Sequence, residues 1–178
     1  MPAGPGQVQQ LPLFDWDRLT PPGAGLVKLP PGMGRDGGVH DLATFCRITA
    51  GFAQRYFQRW LEAEQFQPQD PSARARFRRQ YEQETRFQVF LAQQTERIRQ
   101  GEAEGIDLLG FSPGELVAFR QFLEAEVACL DLDLKRASHP DYPIRDPGAR
   151  RRLLHNFSLK RSLCSHLRRW IAGQAGSE

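Results

Sequence analysis

The side chains that could do chemistry in this chain are few, and their spacing works against it. The three cysteines, Cys46, Cys129 and Cys164, are odd in number, far apart and never in a C-x-x-C pair. That pattern excludes a disulfide framework and a zinc knuckle, and each thiol reads as a buried helical residue. His155 and His166 lie eleven residues apart. They share a helical face but are separated by three turns, about 16 Å, too far to hold one metal ion. No E-x-x-H pair is present, so a di-iron bundle is not expected. Cys164 and His166 diverge at two-residue spacing, as do Asp131 and Asp133, so neither makes a nucleophile–base or acid–base pair. His40-Asp41 reads as the capped start of a helix. Ser158, Ser162 and Ser165 read as close helix packing. Gly32-Met33-Gly34-Arg35-Asp36-Gly37 spells G-x-G-x-x-G, but Pro30 and Pro31 interrupt the strand that a dinucleotide site needs before it. We assign no catalytic residue, no metal ligand and no cofactor, and expect a protein that is not an enzyme.

Arginine is where the chemistry concentrates. Arg74, Arg76, Arg78 and Arg79 fall in the first two turns of one predicted helix, and Arg150, Arg151 and Arg152 in the first turns of another. Positive charge there opposes the helix macrodipole, at about 0.3–1 kcal/mol per charge unless an anion offsets it. Helix N-terminal N–H groups attract anions, and the guanidinium fork donates two bonds at once to a phosphate. Lys160, Arg161, Arg168 and Arg169 continue the basic series, with no Asp or Glu between Asp146 and Glu178. These eleven residues are the candidate phosphate or anion surface, able to follow a nucleic-acid backbone. The competing expectation is that Glu62, Glu64, Asp131 and Asp133 neutralise the arginines as an ordinary solvated rim.

Positioning these side chains falls to four predicted helices. From Val39 onward apolar residues recur at three- and four-residue steps. Asp41 caps a first helix whose face carries Leu42, Phe45, Cys46, Phe52, Ala53, Tyr56, Phe57 and Trp60, and Pro68 and Pro71 stop it. A second helix runs from Ser72 to about Gln100 on Phe77, Tyr81, Phe87, Phe90, Leu91 and Ile98. Ser112-Pro113-Gly114-Glu115 spells a capping box with proline at the first helical position. It opens a third helix on Leu116, Phe119, Leu123, Val127, Leu130 and Leu134, which His139-Pro140 ends. Asp146-Pro147 opens a fourth on Leu153, Leu154, Phe157, Cys164, Leu167, Trp170 and Ile171, ending at Gly173. Four amphipathic helices with short links predict an all-α up-and-down bundle over residues 39–173. In that topology the N-termini of the second and fourth helices share one end.

Residues 1–38 are rich in Pro and Gly and predict a flexible tail, with residues 174–178 a disordered C-terminus. Leu26-Val27-Lys28-Leu29 is at most an isolated extended piece. Within the tail stands Gln10-Leu11-Pro12-Leu13-Phe14. Gln10, Leu11, Leu13 and Phe14 match the Q-L-x-L-F peptide by which many bacterial replication and repair proteins dock on the sliding clamp. Pro12 departs from the small or acidic residue usual at the centre. The resemblance covers five residues and implies docking of Leu13 and Phe14 in an apolar pocket. Alternatively, Leu11, Leu13, Phe14, Trp16 and Leu19 fold back over an open face of the bundle.

The 178 residues suit one domain plus a tail, and 40% hydrophobic with 25% charged residues is a globular composition. A net charge of +3 does not by itself mark a nucleic-acid binder. No apolar run suffices to cross a bilayer, and no signal peptide is evident, so a soluble, cytoplasmic protein is the expectation. Two functions remain open: a bacterial DNA-associated accessory protein tethered to the sliding clamp, with DNA and clamp as partners, or a helical adaptor whose arginines meet an acidic protein surface.

Overall fold

A computed structural model describes residues 25–34, 37–64 and 70–175. Four helices dominate it: α1 (Val39–Glu64), α2 (Pro71–Gln100), α3 (Pro113–Ser138) and α4 (Pro147–Ala175). Two short strands, β1 (Leu26–Lys28) and β2 (Gly105–Asp107), complete the described elements.

The helix ends follow from local chemistry. The Asp70 carboxylate accepts from Ala73 N at 3.2 Å and caps α2, which begins at Pro71, one residue before the predicted start. Gly101, in the left-handed region at φ 79°, ends α2 by donating back to its last carbonyls. The capping box of α3 forms as read: Ser112 Oγ accepts from Glu115 N, and Glu115 accepts from Ser112 N at 2.9 Å. Asp146 caps α4, accepting from Ala149 N at 2.6 Å. Gly173 does not end α4, which continues to Ala175. One glycine costs a helix only about 1 kcal/mol, too little to stop it.

The chain is an all-α, four-helix protein, built as two antiparallel hairpins. α1 packs along α2, and α3 along α4. The hairpins join where α2 meets α3 through rings: Phe87 lies 5.0 Å from Phe119 and 5.4 Å from Phe122, and Phe90 lies 4.8 Å from Phe111. α1 touches α4 over a short patch that includes Phe45 against Phe157, at 5.7 Å. Phe87, Leu91, Phe119, Leu123, Leu163 and Leu167 are wholly enclosed there.

The fold begins earlier than the composition change at Val39. β1 pairs antiparallel with β2, setting Val27 opposite Ile106, and both are buried with Met33 in the main core. A Cβ at Gly105 would lie 2.5 Å from the Val27 carbonyl oxygen, so the ladder closes only over glycine. His166 Nε2 lies 2.9 Å from the Lys28 carbonyl and ties the ladder to α4. Residues 25–34 thus belong to the domain, not to a tail. Local periodicity cannot show a pairing between segments almost eighty residues apart.

One region departs from the rest. Beyond Ala50 on α1 and before Phe87 on α2 no residue is fully buried. The two helices run on as an arm held by half-buried rings, with Tyr81 packing 5.8 Å from Tyr56 and 5.5 Å from Trp60. Phe52 and Tyr56, expected on the core face, are each 61% exposed. They sit one helical face away from the inward line Leu42, Cys46, Thr49, Ala53 and Phe57.

Candidate anion-binding surface

The arginines divide by what surrounds them. On the arm, Arg76, Arg78 and Arg79 are exposed and Arg74 is half-buried. None of the four forms an ion pair among the described residues, and the Arg76 guanidinium lies 5.5 Å from the Phe77 ring. Arg151 and Arg152 at the start of α4, and Arg168 and Arg169 further along it, also form no ion pair among the described residues. The starts of α2 and α4 lie on different hairpins.

The acids expected to neutralise them are largely engaged elsewhere. Asp131 accepts from Arg161 on the neighbouring helix, and that guanidinium holds the Asp131 carboxyl below its usual range. Asp133 lies 4.0 Å from Arg136 on its own helix. Glu62 accepts from Gln58 at 3.1 Å.

Three of the eleven predicted residues are drawn into the fold. Arg150 donates to the carbonyl of His139, the C-cap of α3, and stacks 5.8 Å from the Tyr142 ring. It fastens the α3–α4 turn. Arg161 is committed to Asp131. Lys160 is the plainest correction, because its side chain is wholly buried and reaches no surface anion.

Lys160 instead joins all four helices. Its ammonium donates to Glu126 Oε1 of α3 at 2.6 Å, to Gln88 Oε1 of α2 at 2.7 Å and to Thr49 Oγ1 of α1 at 3.0 Å. Three donors meet three acceptors, the condition under which a buried cation is tolerated. The Phe45 ring lies 5.9 Å away. The sequence did carry a signal for this. Lys160 falls on the apolar line Leu153, Phe157, Cys164, Leu167, Ile171, at the three- and four-residue steps of an inward face. Thr49, Gln88 and Glu126 fall on the corresponding lines of their own helices.

Comparison with protein-family models, with curated proteins and with solved structures gives no match.

The thiols beside the junction are chemically quiet. Burial raises the Cys46 thiol to about 11, and it raises Cys164 as well. Cys129, expected to be buried, is exposed on α3. It lines an open groove of about 460 Å³ between α3 and the arm, with Tyr56, Tyr81, Glu84, Gln121 and Glu126. Asp41 and His155 stand 3.2 Å apart across α1 and α4, both about half exposed. No group of three or more His, Cys, Asp or Glu that could hold a metal ion occurs among the described residues. No described helix is long and apolar enough to cross a membrane. Gln10 to Phe14 lie outside the described residues.

Proposed function

We propose that the protein is a non-catalytic, cytoplasmic accessory protein that binds DNA through its phosphates. The observation that supports this reading is the set of arginines without ion pairs among the described residues at the starts of α2 and α4: Arg74, Arg76, Arg78, Arg79, Arg151 and Arg152. Of the acids offered as their partners, Asp131 and Asp133 pair with other arginines, and Glu62 accepts from the Gln58 amide. Unpaired cations beside helix N-termini suit a polyanion, whose binding releases counterions and does not read bases. Arg168 and Arg169 extend the basic surface along α4. The sequence peptide Gln10–Phe14 would supply a tether to the bacterial sliding clamp, an added affinity through linkage.

The test is fluorescence anisotropy of a labelled duplex at low and moderate salt. Wild-type protein is expected to bind with a steep salt slope, and Arg78→Glu/Arg79→Glu/Arg151→Glu/Arg152→Glu to lower affinity at least about tenfold and flatten the slope by roughly 0.9 per lost phosphate contact. Unchanged affinity and slope would remove DNA from the proposal, leaving the helical adaptor with protein partners.

A further inference from the structure

Three of the exposed large apolar side chains among the described residues, including the two most exposed, fall on one line of α1. Ile48, Phe52 and Tyr56 are 46%, 61% and 61% exposed and recur at four-residue steps. The charge that α1 itself contributes to this line has one sign, while Glu84 of α2 and Glu126 of α3 stand in the groove beyond Tyr56. Arg47, Arg55 and Arg59 stand on the same stretch, and no acid occurs between Asp41 and Glu62. The Arg55 guanidinium lies over the Phe52 ring at 4.8 Å, where an incoming carboxylate could pair with it without uncovering the ring. A contiguous apolar strip of this kind, edged by like charges, fits a segment that is both apolar and acidic.

The chain contains such a segment. Leu11-Pro12-Leu13-Phe14-Asp15-Trp16-Asp17-Arg18-Leu19 carries five large apolar residues around two aspartates. Ten residues, eleven chain steps, separate Phe14 from Gly25, where the described fold begins, a reach of up to about 36 Å. Phe52 stands thirteen residues along α1, about 20 Å from its start. The tether's reach exceeds the length of α1 up to Phe52, and attachment to the same chain supplies a high effective concentration for a weak contact.

We infer that the Ile48–Phe52–Tyr56 face of α1 is the docking site of the chain's own segment Leu11–Leu19. Leu13, Phe14 and Trp16 cover the apolar line, and Asp15 and Asp17 face Arg55 and Arg59. The contact withholds Leu13 and Phe14 from any outside pocket, so a partner that takes the peptide must first displace it from α1. This goes beyond the DNA reading and does not depend on it.

The experiment places the photo-crosslinking residue p-benzoylphenylalanine at position 52 of the full chain. Dilute protein is irradiated and the products are mapped by mass spectrometry. Crosslinks within one chain to residues 11–19 are expected. Their yield should fall about tenfold in Leu13→Ala/Phe14→Ala/Trp16→Ala and in Arg55→Asp/Arg59→Asp. It should return when Asp15→Arg/Asp17→Arg is added to the latter. Unchanged helical circular dichroism verifies that each variant is folded. Crosslinks joining two chains, crosslinks confined to the helices, or a yield indifferent to both charge changes would each overturn the inference. DNA affinity is read in a separate assay, so either proposal can fail alone.

Discussion

The junction around Lys160 and the arm formed by the outer halves of α1 and α2 are built from the same kinds of residue, put to opposite use. At the junction a cation is enclosed and each of its three protons has an acceptor, one from each neighbouring helix. On the arm three exposed arginines and the half-buried Arg74 form no ion pair among the described residues, and the rings around them are half covered. Burial forces polar groups to be satisfied, because an unpaired buried charge costs several kcal/mol. Exposure imposes no such demand, so charge without a partner and uncovered aromatic surface are tolerated there. The junction specifies the fold, and the arm is free to serve a ligand.

The largest effect that sharpens this contrast is at Lys160. Lys160→Met would leave Glu126, whose side chain is only 17% exposed, without its counter-charge. We expect a loss of about 3–5 kcal/mol in urea unfolding. Lys160→Met/Glu126→Leu should recover most of it, to within about 2 kcal/mol of wild type, since Gln88 and Thr49 still lose a donor. A single mutant as stable as wild type would mean the junction does not organise the helices.

Next come the rings. Phe87 is enclosed among Phe111, Phe119 and Phe122, and Phe87→Ala should cost about 3–5 kcal/mol. Tyr81, on the arm, contacts Tyr56 and Trp60 with solvent on one side, and Tyr81→Ala should cost about 1 kcal/mol. Equal losses would show that the arm is as tightly built as the junction.

Particular residues explain what the sequence could and could not reveal. Ser112 and Glu115 interact at three-residue range, so the capping box of α3 was legible outright. Phe119, Leu123 and Leu167 repeat with the helical period and were legible as core. Val27 was not, because its partner Ile106 is distant in the chain and three-residue strands have no period to detect. Lys160 was read as surface because residue type outweighed its place on the inward line of α4. Phe52 and Tyr56 show the converse error, since large apolar type suggested core while helical phase turned them outward. Arg74 to Arg79 and Arg150 to Arg152 were visible as clusters. That Arg150 grips the α3 terminus while Arg151 and Arg152 form no ion pair among the described residues depends on how the α3–α4 turn folds back. Glu62, Asp131 and Asp133 were available as partners by sequence; packing between helices assigns Asp131 to Arg161, while Asp133 and Glu62 meet neighbours one turn away on their own helices.

A smaller effect tests whether the arm arginines serve the fold at all. Arg74 and Arg151 stand near helix starts, where acid is favoured over base. Arg74→Glu and Arg151→Glu should therefore leave thermal stability unchanged or raise it by about 0.3–0.5 kcal/mol each, while duplex binding weakens. A loss above about 1 kcal/mol would identify a structural partner and return these arginines to the solvated-rim reading.

The smallest effect supplies the control, an exposed arginine on α2 that does have its acid. Arg99 Nε donates to Glu96 at 2.8 Å, and Gln100 donates to the same carboxylate. The Arg99 hydrogen bonds lower the Glu96 carboxyl from 4.5 to about 2. The folded state therefore binds the Glu96 proton less readily than the unfolded chain, and the pair stabilises the fold above about pH 4.5. That contribution fades as pH falls and is gone once Glu96 is protonated in both states, below about pH 2. The side chains are 36% and 37% exposed, so solvent screening keeps the effect small, about 0.5 kcal/mol or less. The stability difference between wild type and Glu96→Gln should be small and positive at pH 6 and should vanish toward pH 2. The corresponding plots for Arg78→Gln and Arg79→Gln should be flat over that range. A pH-dependent difference in either would reveal a carboxylate partner for the arm, and the separation between a satisfied junction and an unsatisfied arm would fail at that residue.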